Sequence, residues 1–155
     1  MSVEDIYNFI QIDQFVATAG QPCADQFHDA RKAGYDAVIN LAPNGLATSL
    51  PDEQELLEAL GIEYHHIPVP WSAPQIEQLE LFEASLEALR GRRTLIHCQA
   101  NYRVTAFFAI YATSKLGWSE EQADALIARV WESQPDFQMD DIWRSFIATA
   151  RERTF

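Results

Sequence analysis

Apolar residues in this chain form two alternating kinds of run. DAVINLA over 36–42, IEYHHIPV over 62–69 and TLIH over 94–97 are short blocks that predict strands. The near-continuous apolar character of the first and last is what a parallel strand covered on both faces requires. Between them the spacing changes to the helical period. PDEQELLEALG over 51–61 predicts a helix stopped at Gly61, and Ile76, Leu79, Phe82, Leu86 and Leu89 place an apolar stripe along a second one. Strand, helix, strand, helix, strand describes two right-handed crossover units on a parallel sheet. Ahead of the sheet, Pro22 to Ala33 predicts a helix ended by Gly34, and FVATAG over 15–20 an additional edge strand.

Beyond residue 98 the pattern is helical throughout. Val104, Phe107, Phe108 and Tyr111 form the inner face of a helix that ends near Gly117. Ser119 and Gln122 have capping-box spacing for the next helix, with Ala123, Leu126, Ile127 and Val130 facing inward. Met139, Ile142, Trp143, Phe146 and Ile147 define the inner face of a last helix. The fold class is therefore α/β: a central, mostly parallel sheet flanked by helices, with a helical C-terminal part.

Composition narrows the function classes. The 155 residues suit a single domain spanning 1–155 with one core and one site. No apolar run reaches the roughly 20 residues a spanning helix needs, and MSVEDIYNF lacks the basic start and apolar middle of a secretory signal, so a cytoplasmic location is expected. A formal net charge of -12 argues against nucleic acid and anionic membranes as partners. Any anion that binds must be held by a concentrated cluster of local donors. Cys23 and Cys98 are too few for a disulfide framework, which leaves either thiol available as a reagent.

The candidate chemistry sits in HCQANYRVT, residues 97–105. Ligands of open parallel sheets bind at the carboxyl ends of the strands, where TLIH hands the chain to this loop and then to a helix. Unpaired N–H groups and the dipole at that helix start favour an anion, and in such a place Cys98 can act as a nucleophile. Arg103 can hold two oxygens of a phosphate- or sulfate-like group, Thr105 can donate its hydroxyl to the sulfur, and His97 precedes the nucleophile. Gln99, Ala100, Asn101 and Tyr102 would then wrap the bound group.

On these residues the chain resembles the protein tyrosine phosphatase superfamily, in particular its small dual-specificity members and the bacterial phosphatase-like domains of the beta-lactamase-hydrolase-like type. TAGQP (18–22) resembles their early turn, IPVPWSAP (67–74) the segment carrying a mobile acid loop, and HCQANYRVT the phosphate loop. The resemblance implies a cysteinyl-phosphate intermediate on Cys98, hydrolysed by water with no metal or organic cofactor. It also implies a phosphorylated small molecule or phosphoprotein as partner, and affinity for phosphate or sulfate.

Two departures alter the expectation. The superfamily loop places five residues between Cys and Arg, but here only four separate Cys98 from Arg103, although Thr105 keeps its register. In a helical first turn, one residue of displacement rotates the side chain by about 100°. Asn101 stands where Gly is usual, and asparagine tolerates the left-handed conformation. The second departure is the acid: no Asp lies between Asp52 and Asp124, and Pro70, Trp71 and Ser72 occupy the expected place. His66 and Glu77, with neighbouring His65, are nearby substitutes, and Asp136 is a remote one. Weak phosphate-ester cleavage follows, since a missing proton donor costs about 10² to 10⁴ in rate. Adjacent strand histidines point apart, which disfavours a zinc site.

The short Cys-to-Arg spacing also resembles rhodanese-like sulfurtransferases, which would carry a persulfide on Cys98 and need no general acid. A third alternative is a phosphate-binding or regulatory module without turnover. Cys23, at a helix start, is a candidate resolving thiol for Cys98.

Overall fold

The computed structural model describes residues 2–153. A short 3-10 turn (Val3–Asp5) leads into β1 (Ile10–Gln11) and β2 (Val16–Ala19), followed by α1 (Ala24–Lys32), β3 (Ala37–Asn40), α2 (Glu53–Ala59) and β4 (Glu63–His66). The second half holds α3 (Ile76–Ala88), β5 (Thr94–His97), α4 (Tyr102–Lys115), α5 (Glu120–Trp131) and α6 (Asp141–Arg151). The predicted strands and helices all form, with their expected types.

The sheet order is β1-β2-β5-β3-β4, and only the β1–β2 pair is antiparallel. FVATAG is thus not an edge. β2 lies between β1 and β5, pairing Ala19 with His97, while the two-residue β1, too short to register as a pattern in sequence, takes the edge. β5 is central, so its carboxyl end opens in the middle of the molecule.

All four residues of β3 and of β5 are buried, which requires cover on both faces. Side chains alternate accordingly. Ala37, Ile39 and Ile96 pack with α3–α6, whereas Val38 and Leu95 pack with Phe27 and Ala30 of α1 and Leu57 of α2. α4 is the spine of the larger layer, buried without interruption from Arg103 to Ala112. Phe107 meets Phe82, Trp143 and Phe146. One predicted inward position is wrong: Ile142 is exposed, because the apolar face of α6 rotates onto Trp143, Phe146 and Ile147.

Candidate active site

The site lies where β5 gives way to α4. Parallel pairing carries β5 as far as His97, and Cys98 extends it with an N–H bond to the Ala19 carbonyl at 3.3 Å. The chain must then reverse into a helix, and Asn101 makes that turn with φ 71°, in the left-handed region expected of it. Its side-chain amide donates to the Asn8 carbonyl at 2.8 Å and to Thr18 Oγ1 at 3.0 Å. Asn101 therefore both turns and anchors the loop.

The loop carbonyls are taken up by neighbouring groups. The Gln99 carbonyl accepts from the Gln21 N–H at 3.1 Å, and that of Ala100 from Asn8 Nδ2 at 2.9 Å. The Cys98 carbonyl lies 3.3 Å from His97 Nδ1. In a trans peptide the N–H points opposite to the C=O, so the contacts of the Cys98 and Gln99 carbonyls turn the N–H groups of Gln99 and Ala100 the other way, while an antiparallel bridge joins Ala100 to Gly20. The amides of Tyr102, Arg103 and Val104, at the start of α4, precede the first intrahelical bond, from the Thr105 N–H to the Asn101 carbonyl. The start of α4 thus leaves several backbone donors open, as helix starts do.

Arg103 is the second residue of α4 and is 5 % exposed. Its Nε donates to the Val69 carbonyl at 2.8 Å, and its guanidinium lies 5.3 Å from the Trp71 ring centroid. Held from that side, Arg103 interacts electrostatically with Cys98 and lines a cavity. Burial pushes the guanidinium below the ordinary arginine value, and Cys98 acts in the opposite direction. The short Cys-to-Arg spacing thus still brings the two side chains together.

A cavity of about 800 Å³ opens over the loop. Gln99, Ala100, Tyr102 and Arg103 line its floor, with Trp71 and Phe137 on one wall. Cys98 is fully buried and is not among the lining residues. Among the lining residues the only formal charge is Arg103, and none is a carboxylate. Cys23, exposed at the start of α1, borders the same cavity.

Other candidates have different places. The Thr105 hydroxyl donates to the Asn101 carbonyl at 2.8 Å, because a helical threonine reaches its own preceding turn, so in this conformation it gives no proton to the sulfur. His66 Nε2 is 2.7 Å from the Ala42 carbonyl and borders a separate polar cavity, while His65 pairs with Glu63 at 2.6 Å. Glu77 is exposed in the first turn of α3, and Asp136 is exposed beside Phe137. Neither Glu77, Asp136 nor His66 lines the cavity holding Arg103. Among the described residues no group of His, Cys, Asp and Glu is arranged to hold a metal ion.

Glu53 is the residue the sequence did not disclose. It is 4 % exposed at the start of α2 and accepts Gln21 Nε2 at 2.8 Å, while its other oxygen lies 2.6 Å from His97 Nε2. Burial acts to raise its carboxyl, but attraction to His97 and bonds from His97 and Gln21 outweigh it and hold the group below the usual glutamate value. In PDEQEL it reads as an ordinary first-turn acid, and no local signal marks it.

A five-stranded, mostly parallel sheet with a Cys-to-Arg loop leading into its central helix defines the phosphatase-like class. Residues 8–115 match the family described as beta-lactamase hydrolase-like protein, phosphatase-like domain, and the chain belongs to that family. A beta-lactamase hydrolase-like protein of Xylella fastidiosa is 25% identical over 120 residues, 76% of this chain but only 28% of the relative. A candidate phosphatase from Shewanella putrefaciens CN-32 superposes with TM-score 0.82 at 28% identity, covering 96% of this chain and 93% of that one. Tk-PTP in its active form gives 0.74 at 24% identity, covering 94% and 97%. The core catalytic domain of a PP-IP phosphatase from S. cerevisiae gives 0.72 at 16%, covering 94% and 86%. The last two show the shared fold. No helix among the described residues is long and apolar enough to cross a membrane.

Proposed function

We propose that the protein is a cysteine-dependent phosphatase acting on phosphate monoesters through Cys98. The observation that carries this reading is the interaction of Arg103 with Cys98 across the loop from β5 to α4, with Arg103 held by the Val69 carbonyl and lining the cavity. The Cys98 thiolate attacks phosphorus, the S–P bond forms and the ester P–O bond breaks. Arg103 and the loop amides hold the non-bridging oxygens where charge accumulates. Water then attacks the cysteinyl phosphate, releasing inorganic phosphate and regenerating the thiolate.

With no carboxylate lining the cavity, the leaving oxygen takes its proton from water. Turnover is therefore slow for alkyl esters and best for acidic phenols. The substrate is a phosphorylated small molecule or a phosphoprotein, in a cytoplasmic setting. The test is steady turnover of p-nitrophenyl phosphate that disappears in Cys98→Ser; no turnover between acidic and neutral pH overturns the reading.

The same missing carboxylate favours a second reading. A sulfurtransferase needs only the thiolate and a cation: Cys98 attacks the outer sulfur of thiosulfate, the S–S bond breaks, sulfite leaves and a persulfide remains on Cys98. Thiocyanate production from thiosulfate and cyanide, lost in Cys98→Ser, supports it. If both assays are silent while phosphate raises Tm and Arg103→Ala removes that rise, the chain is a phosphate-binding module.

A further inference from the structure

The ring of His97 faces an acceptor at each nitrogen. Nε2 is 2.6 Å from Glu53 Oε2, and Nδ1 is 3.3 Å from the Cys98 carbonyl oxygen. A neutral imidazole carries one N–H and can satisfy only one of them, whereas an imidazolium satisfies both. The ring is fully buried, with Phe27 packed edge-on at 5.7 Å. The other way to place a proton between His97 and Glu53 is on the carboxyl. That is disfavoured by what surrounds Glu53: Gln21 Nε2 donates to it at 2.8 Å, and His66 acts in the same direction. Burial also pushes Tyr64 up to about 12, so its hydroxyl, which accepts from Asn40 at 3.1 Å, stays neutral.

We infer that Glu53 is a positioning residue for the cysteine loop: its carboxylate keeps His97 as an imidazolium, and that cation fixes the 98–99 peptide and favours negative charge at Cys98. The inference rests on the reading of Cys98 as a nucleophile. Gln21 extends the arrangement, because the residue that donates its side chain to Glu53 also donates its backbone N–H to the Gln99 carbonyl. One buried carboxylate thus ties α2 to both ends of the Cys98–Gln99 segment. The titratable groups facing the pair are His66 and Tyr64, with Glu55 acting on Tyr64.

Two measurements decide it. Nitrogen-15 NMR of the unmodified, histidine-labelled protein at pH 7 is expected to show protons on both His97 ring nitrogens; a singly protonated ring overturns the inference. The rate of Cys98 alkylation by iodoacetamide, resolved from Cys23 by peptide mass spectrometry, is then followed against pH. In Glu53→Gln the midpoint is expected to move to higher pH, with the rate at pH 6 falling about tenfold, as one unit of displacement gives. A purely structural role would lower Tm and leave the midpoint in place, and an unmoved or lowered midpoint overturns the inference. Should the variant not fold, the ring-proton count decides alone. If Cys98 of the unmodified protein resists alkylation at every pH, the nucleophile reading falls, and the same count still judges Glu53.

Discussion

Val69 accepts a 2.8 Å hydrogen bond from Nε of Arg103, so the segment following β4 grips the cation at the start of α4. The grip is reinforced by Trp71, whose ring lies under the guanidinium and whose carbonyl accepts from Trp143 Nε1 at 2.9 Å. The segment that follows β4 thus orients the arginine. Replacing Trp71 by Ala should lower kcat/KM for p-nitrophenyl phosphate about tenfold, the size of a partly desolvated cation–π contact. Comparison with Arg103→Lys, which retains charge but loses the Nε donor, checks the assignment: a fall of about 10- to 100-fold is expected there.

The cavity without a carboxylate predicts a steep dependence on the leaving group. Phenyl phosphate should be cleaved at least about 10² more slowly than p-nitrophenyl phosphate, because no side chain delivers the proton. Equal rates for the two would place a general acid in the cavity after all.

Gly20 stands against the loop, and a Cβ there would lie 3.0 Å from the Gln99 carbonyl oxygen and 3.0 Å from Tyr7 Cδ2. The ring can move, but the Gln99 carbonyl is fixed by the Gln21 N–H and belongs to the cysteine loop. Gly20→Ala should therefore reduce phosphate turnover more than it reduces Tm, and Gly20→Val should abolish turnover.

Glu53 sets the sign of an acid dependence. Its folded carboxyl titrates below the ordinary 4.5, so its stabilising contribution is fully present above that value and is lost as pH falls through the folded one. Urea unfolding between pH 6 and pH 3 should show stability declining below about pH 4.5. The decline should be shallower in Glu53→Gln.

Phe107 is fully buried among Phe82, Trp143 and Phe146. Phe107→Ala should cost about 3–5 kcal/mol in urea unfolding. The cavity it leaves lies among α3, α4 and α6.

Periodicity alone determined the α/β class, the parallel strands and the helices that cover them, because burial on one or both faces leaves a repeat in the order of residues. The Cys98-to-Arg103 loop was legible for a related reason: its parts are contiguous, and a strand-to-helix junction supplies the donors wherever it occurs. The tertiary structure decided what contiguity cannot carry. It moved FVATAG from edge to interior, because pairing order is a property of the whole sheet. It turned the Thr105 hydroxyl onto its own helix and set Ile142 in solvent. It brought Glu53 to His97 across 44 positions of sequence. A buried charge is chosen by its partners in space, and no local pattern records them.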